Sequence, residues 1–341
     1  MHFKTVRLTV LRNEIKALVA NVVEKENISD PYLRWGMDRE DVDDNVLNVL
    51  EMLQPHKNLR ALMIHYFVGE LLPNGIFVEN FVELRLSNCY KYETLSMLGH
   101  FSKLEVLKID GLRALKIIRE EFYGNYHDGR TLFPKRKTFH ISNMIRFEQW
   151  KEVATVTNCT TFPHLESLII DSCLRLISIP NIFATHSQRL KTNTVNARLF
   201  SSFQSPPKFQ FLHIECCISL VMLPNWLEFY SSLEDLWIYS RNYISSPALQ
   251  NISNLSSLRL DNFNNFQEGL GGIHNLKKLT VKGPIKRYDW SRFIPFNSLE
   301  NLKLHDRGAN SLTQLPRHFE LLIALRSLYI ERFNDIESLP E

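Results

Sequence analysis

One spacing of apolar residues recurs along most of this chain. In each copy, an apolar residue is followed by two variable positions, a second apolar residue, one variable position and a third apolar residue. Because apolar and variable positions alternate at the end of each copy, each copy predicts a short strand with one buried side. Eleven copies lie between Leu59 and Ile330, and they begin at residues 59, 81, 104, 136, 165, 209, 233, 255, 276, 299 and 325.

The interval between copies predicts how they assemble. A single strand of this kind cannot bury its apolar side alone, so neighbouring copies must stack. Most copies begin 21 to 29 residues apart, which is the period of leucine-rich repeats. We therefore expect an α/β leucine-rich repeat solenoid shaped like a horseshoe. A parallel β-sheet would line its concave side, and helical or irregular segments would form its convex side.

Some repeats depart from the pattern. The copy at Arg136 has arginine in the first apolar position, and a degenerate copy is predicted at Leu190-Asn193-Val195. Two earlier copies are predicted to begin at Phe3 and Ile28. Helical apolar stripes predict amphipathic helices over residues 11–27 and 43–53. We divide the chain into N-terminal repeats with convex helices, residues 1–125, and irregular repeats, residues 126–341, which stop within a repeat as if truncated.

Composition limits the classes of partner. The 40 Lys and Arg residues against 37 Asp and Glu residues give a net charge of +3, which is too small to indicate nucleic acid. No apolar run approaches the ~18 residues that a membrane helix needs. Charged residues interrupt the N-terminal segment, so it does not resemble a secretory signal. These features predict a cytoplasmic protein without a membrane span.

The cysteines predict structural roles. Three of the five follow the last apolar residue of a copy by three positions, where a small polar side chain can bond to the backbone leaving a strand. An odd number of cysteines placed in this way argues against disulfides and favours a reducing compartment. The three residues are Cys89, Cys173 and Cys217.

No motif for catalysis or cofactor binding stands out. The sequence contains no G-x-x-x-x-G-K-[ST] phosphate loop, so nucleotide binding is not expected on this chain. No Ser/His/Asp order and no Cys/His set with metal-ligand spacing is evident either. We expect no enzyme activity, no cofactor and no metal.

Several motifs resemble the leucine-rich repeat region of plant intracellular nucleotide-binding (NLR) disease resistance proteins of the coiled-coil class. The most specific is Leu-Gln-Pro-His at residues 53–56, followed by Glu-Phe-Tyr-Gly at 121–124 and Phe-Pro-His-Leu-Glu at 162–166. The resemblance extends over essentially the whole chain. Pro31 and Arg136, which stand in apolar positions, are departures from the pattern of that family.

The variable positions of the strands predict a binding face. We call the residue between the last two apolar positions of each copy the first lane, and the residue two positions further along the second lane. The first lane contains no acidic residue, whereas the second lane includes Asp110, Asp171, Glu215, Asp261 and Glu331. Exposed aromatic residues and arginine are common anchors of protein interfaces. From both lanes we predict a partner-binding set of Arg85, Lys108, His213, Trp237, Tyr239, Arg259, Lys303 and Tyr329, with its centre within residues 213–261.

The resemblance implies a role in plant defence. Repeats of this family would recognise a pathogen effector or a guarded host protein, or would hold the receptor's own nucleotide-binding domain inactive. A substrate-recognition subunit of a ubiquitin ligase is the alternative, although residues 1–58 do not resemble an F-box module. An extracellular receptor would have a stricter 24-residue repeat and paired cysteine caps, and neither is present.

Overall fold

The computed structural model contains two compact units, Met1–Ser187 and Gln188–Glu341. The structure describes residues 5–10, 30–35, 60–70, 80–95, 97–99, 101–124, 131–153, 159–203, 208–217, 220, 223–224, 226–227, 231–240, 249, 252–262, 273–285, 296–308, 313–315 and 317–337.

The first unit contains a parallel sheet with one strand from each repeat. Each strand of this sheet pairs with the next sheet strand along the chain, and every neighbouring pair is parallel. The strands are β1 Thr5–Val10, β2 Asp30–Trp35, β3 Ala61–His65, β4 Glu83–Ser87, β5 Val106–Asp110, β8 Thr138–Ser142 and β11 Ser167–Cys173.

The second unit repeats this arrangement. The described strands of its sheet pair in chain order, and all of these pairs are parallel. The strands are β12 Arg189–Val195, β13 Phe211–Glu215, β14 Asp235–Tyr239, β15 Ser257–Asp261, β16 Lys278–Gly283, β17 Asn301–Asp306 and β18 Ser327–Glu331.

Short elements connect the strands. In the first unit, β6 Ile117–Ile118 pairs with β9 Gln149–Trp150, and β7 Thr131–Leu132 pairs with β10 Thr160–Thr161. The described helices are also short. They are the 3₁₀ helices η1 Glu120–Tyr123 and η2 Arg317–Leu321, and the α-helices α1 Asn181–His186 and α2 Arg198–Ser201. Among the described residues, no helix is both long and apolar enough to cross a bilayer.

The repeated apolar residues build the core. On β4, Leu84 and Leu86 are buried, whereas the alternating Glu83, Arg85 and Ser87 are half-exposed. The same alternation recurs on β5, β13 and β14. Side chains alternate between the two faces of a strand, so the apolar spacing places one face in the core and the other in solvent. The predicted solenoid with a parallel sheet is confirmed.

A left-handed backbone turn closes most of the described strands. The residue two positions after the last apolar residue has a positive φ, for example +56° at Asn88, +66° at Gly111 and +55° at Asn143. Glycine and asparagine tolerate this conformation best. An ideal Cβ on Gly111 would lie 2.6 Å from the side-chain oxygen of Asn88 in the neighbouring repeat. Glycine therefore also allows these two turns to approach each other.

The degenerate repeat at residue 190 lies in a different frame from the predicted one. Leu190 aligns with Leu212, and Thr192 aligns with Ile214, so the buried positions of this repeat are Ser187, Leu190 and Thr192. Ser187 and Thr192 are 1% and 0% exposed. The Thr192 hydroxyl donates a hydrogen bond to the His213 carbonyl at 3.3 Å, which allows a polar residue to replace an apolar one there. The predicted positions Asn193 and Val195 were wrong.

The buried cysteine thiols have a structural role in the repeats. All five cysteines are unoxidised. The Sγ atoms of Cys89 and Cys173 lie 3.6 Å and 3.2 Å from the carbonyl oxygens of Ser87 and Asp171. Burial raises the pKa of the Cys89, Cys173 and Cys217 thiols to about 12. These buried thiols therefore stay protonated and unreactive at neutral pH.

Two kinds of prediction are not addressed by the described residues. The helices over residues 11–27 and 43–53 lie outside them. The division at residue 125 refers to the character of the repeats on their convex side, and it stays a prediction.

Candidate binding face of the sheet

The first lane of the second unit forms one row across seven strands. In-register pairing aligns each residue with the next, since His213 pairs with Trp237, Trp237 with Arg259, and Lys303 with Tyr329. The row therefore brings five of the eight predicted site residues onto one face. In order, it consists of Lys191, His213, Trp237, Arg259, Thr280, Lys303 and Tyr329.

Trp237 lies between two side chains that restrict its ring. The Arg259 guanidinium carbon is 4.0 Å from the Trp237 ring centroid, a cation–π contact. On the other side, the His213 ring packs edge-on with centroids 5.2 Å apart. Arg259 is in turn 3.7 Å from the Asp261 carboxylate. The half-buried Trp237 is thus held in one orientation before any partner arrives.

A carboxylate orients His213. His213 Nε2 lies 3.0 Å from Asp235 Oδ1 on the neighbouring strand. Burial acts to raise the pKa of the Asp235 carboxyl, but hydrogen bonds from His213 and Ser257, together with the charges of His213 and Lys278, lower it below its ordinary value. Asp235 therefore stays ionised and keeps His213 against Trp237.

A second cation–π pair lies further along the row. Lys303 Nζ is 4.2 Å from the Tyr329 ring centroid. Tyr329 is 49% exposed, on the last described strand. Lys303 and Tyr329 lie three and four strands from Trp237 in the same lane.

Tyr239 occupies the second lane of β14. It pairs in register with Glu215 on one side and Asp261 on the other. Because it is two positions from Trp237 on one strand, both side chains lie on the same face. Tyr239 is half-buried and extends the aromatic surface along the strand.

Arg85 and Lys108 lie in the first unit. They are direct neighbours in the first lane of β4 and β5. The Arg85 Nε forms an ion pair with Glu83 on the same strand, so part of its charge is neutralised. The predicted set thus consists of a pair in the first unit and six residues in the second.

Sequence reasoning missed two lysines of the second unit. Lys191 enters the first lane because of the corrected frame of β12, and its Nζ lies 3.8 Å from Glu215. Lys282 is in the second lane next to Asp261. The apolar spacing did not reveal the position of Lys191, because serine and threonine occupy two of the buried positions of its repeat. Lys282 was visible, but only Tyr239 and the acidic residues of that lane were considered.

A further cation–aromatic cluster of the first unit was also missed. The Arg34 guanidinium lies 5.5 Å from the Tyr66 ring, and that of Arg113 lies 4.5 Å from the Tyr90 ring. The two tyrosine rings are 6.2 Å apart. Tyr66 and Tyr90 follow their strands in the connecting turns, outside both lanes, so alternation along a strand could not reveal them.

The described residues contain no group of three or more His, Cys, Asp or Glu side chains placed to hold a metal ion. The chemistry available on this face is aromatic contact, ion pairing and hydrogen bonding. Interfaces between macromolecules use these same interactions.

Comparisons with known proteins agree with this architecture. Residues 2–112 match the family described as R13L1/DRL21 LRRs. Disease resistance protein RGA2 of Solanum bulbocastanum is 28% identical over 232 residues, which cover 66% of this chain and 24% of that protein. Disease resistance RPP13-like protein 1 of Arabidopsis thaliana is 25% identical over 333 residues, covering 92% of this chain and 27% of that protein.

Over its leucine-rich repeats the chain is similar to plant disease resistance proteins. The resemblance predicted from the motifs is confirmed. Among solved structures, a glycosylated Toll–Spätzle complex of Drosophila matches these leucine-rich repeats with a TM-score of 0.59. That match has 16% identity and covers 98% of this chain and 46% of that one, so it shows the fold alone. The leucine-rich repeats span about a quarter of the length of the two plant relatives.

Proposed function

We propose that this chain is the partner-binding module of a plant disease resistance protein and works in the cytoplasm. In this proposal it recognises a pathogen effector or a guarded host protein. In the resting state it binds the receptor's own nucleotide-binding domain and keeps it inactive. The similarity to disease resistance proteins supports the defence role, and the repeat fold is a scaffold for protein interaction.

The observation that carries the proposal is the arrangement around Trp237. A partly exposed tryptophan is held between His213 and Arg259, with Tyr239 on the same face. Tryptophan, tyrosine and arginine contribute most strongly to binding at protein interfaces. Ordering them in advance lowers the entropy cost of association. A competing ligand at this face would displace the nucleotide-binding domain and release the receptor.

The test replaces both aromatic residues. We expect Trp237→Ala with Tyr239→Ala to weaken partner binding by about tenfold or more, because two interface anchors are lost. Proximity labelling in healthy and infected leaf cells measures the effect. Healthy cells should show labelling of a nucleotide-binding domain, and infected cells labelling of an effector or a guarded host protein. The double variant should lose both.

Ile145→Ala is the control. Ile145 is 52% exposed and lies outside the strands, so this change removes an exposed apolar side chain away from the face. Labelling by this variant should equal that of the native chain. If the double variant also labels the same proteins as the native chain, the face around Trp237 is not the binding site. If no defence component is labelled by any variant, the immune role itself is wrong.

A substrate-recognition subunit of a ubiquitin ligase is the alternative function. The relatives reported above favour the disease resistance role. Labelling of ubiquitin ligase subunits by the native chain would reverse that preference.

A further inference from the structure

Two cation–π pairs flank a small residue in the first lane. Trp237 contacts Arg259 on one side of Thr280, and Tyr329 contacts Lys303 on the other. Arg259 and Lys303 are each one strand from Thr280, so their strands are about 10 Å apart. Each cation packs on an aromatic ring that lies further from Thr280. The short threonine side chain therefore leaves space between two positioned cations.

A third cation lies beside this space. Lys282 is two positions after Thr280 on β16 and shares its face. Within the described part of the chain, Lys282 makes no ion pair within 4 Å. Its pKa is lowered by burial and by the positive charges of Arg259, Arg307 and Lys303, against the opposing effect of Asp261. The positive charge around Lys282 is therefore not fully neutralised. We call Arg259, Lys282 and Lys303 around Thr280 the cation cradle.

The carboxylates nearby are fewer than the cations. Asp261 is 4% exposed, and burial raises the pKa of its carboxyl although Arg259, Lys282, Arg307 and His305 act to lower it. Glu331 lies 3.0 Å from His305. Arg307 adds a fourth permanent cation to the three of the cradle. Asp306, next to Arg307, is a third carboxylate, and it is buried and accepts hydrogen bonds from the Ile285 and Gly308 amides. Four permanent cations thus face three carboxylates, and the excess charge is positive.

We infer that the cation cradle receives an acidic segment of a protein partner, with a carboxylate over Thr280 between Arg259 and Lys303. This inference rests on the proposed protein-binding function and specifies the chemistry of the partner. Alternate side chains of an extended peptide lie on one side, roughly 7 Å apart. An acidic side chain at i+2 from the carboxylate over Thr280 would therefore lie close to the strand of Arg259 or to that of Lys303, each of which is about 5 Å from the strand of Thr280. Trp237 and Tyr329 would provide apolar contacts at the two ends.

The direct test is binding of a fluorescein-labelled octaglutamate peptide to the full chain, followed by fluorescence anisotropy at low ionic strength. Lys282→Gln and Lys303→Gln should each weaken binding by about two- to fivefold, the range of one partly exposed ion pair. Asp261→Asn should strengthen binding by a similar factor, because it removes a competing carboxylate. Increasing salt should weaken all binding.

Lys208→Gln is the matched control. Lys208 is exposed in the same unit and lies outside the strands, so this variant has the same net charge as Lys282→Gln. Its affinity for octaglutamate should equal that of the native chain. Thermal unfolding of each variant establishes that the fold is kept, and Lys303→Gln serves as a second probe if Lys282→Gln does not fold.

Three results would overturn the inference. The first is absence of octaglutamate binding by the folded native chain, and the second is equal weakening by Lys208→Gln and Lys282→Gln. The third is equally tight, Lys282-dependent binding of an oligouridylate, which would indicate a general polyanion site. None of these results affects the labelling test with Trp237 and Tyr239. A failure of the cradle can therefore be distinguished from a failure of the proposed function.

Discussion

Arg136 is the residue whose surroundings fit its chemistry least. It is 0% exposed, and its guanidinium carbon lies 5.7 Å from the ring centroids of both Phe133 and Phe139. Within the described residues, none of its three side-chain nitrogens has a hydrogen-bond partner. Burial lowers the pKa of Arg136 to about 9. The two aromatic faces offset only part of the cost of a buried charge.

Replacing Arg136 should stabilise the protein. We expect Arg136→Leu to raise the free energy of unfolding by about 1–4 kcal/mol, because an unpaired buried charge is removed and an apolar side chain joins the aromatic core. Because burial lowers the folded-state pKa from 12.5 to about 9, the cost is fully present below about pH 9. It decreases above that pH, so the gain in stability should shrink there.

Urea unfolding at pH 7 and at pH 10 measures this difference. Arg146→Leu is the control, since Arg146 is an exposed arginine of the same repeat, and its effect should stay within about 0.5 kcal/mol. A loss of stability in Arg136→Leu would mean that the guanidinium has compensating interactions and that our account of its cost is wrong.

At the scale of the elements, side chains at the same apolar repeat position differ in their exposure between neighbouring strands. Leu302 on β17 and Leu328 on β18 are register partners. Leu302 is 1% exposed and packs between two strands, whereas Leu328 is 40% exposed. Ile323, which leads into β18, is 82% exposed. In a stacked array, an apolar side chain is buried fully only when a neighbour covers each side.

Alanine substitutions at these two positions should therefore differ in cost. Leu302→Ala should lower the free energy of unfolding by about 2–5 kcal/mol, as is usual for a buried leucine. Leu328→Ala should cost about 1 kcal/mol or less, because much of its surface is already in water. Chemical denaturation of the two variants provides the comparison. Equal costs would show that Leu328 is covered in solution.

At the scale of the whole molecule, each repeat contacts mainly the repeats before and after it. In the second unit every strand pairs with its sequence neighbours, from β12 to β18. Stability in such an array is close to a sum of repeat terms and nearest-neighbour terms. Two distant substitutions within one unit should then have independent effects on the free energy of unfolding.

Pairs of alanine variants test this expectation. Leu212 and Leu302 lie on β13 and β17, with three strands between them, or roughly 19 Å at the usual strand spacing. Their effects on the free energy of unfolding should add to within about 0.5 kcal/mol. Leu279 and Leu302 are register neighbours and should deviate from additivity by about 0.5–3 kcal/mol. Strong coupling of the distant pair would argue against nearest-neighbour stability.

The features that could be predicted from the sequence are those that depend on the order of residues within one strand. The repeated apolar spacing predicted nearly every described sheet strand, and alternation along each strand predicted that Trp237, Arg259 and Lys303 share a face. These predictions hold because a strand directs successive side chains to opposite faces whatever its surroundings. The motifs added the resemblance to plant disease resistance proteins.

Other features were decided only by tertiary structure. The frame of β12 depends on which residues align with Leu212 and Ile214, and the polar Ser187 and Thr192 concealed it. The contact between Trp237 and Arg259 joins residues 22 positions apart. The two rings beside Arg136, those of Phe133 and Phe139, pack in turn on Phe122 and Phe162 of neighbouring repeats. Each of these depends on how neighbouring repeats pack, because burial and electrostatic effects arise from contacts between segments that are distant in the chain.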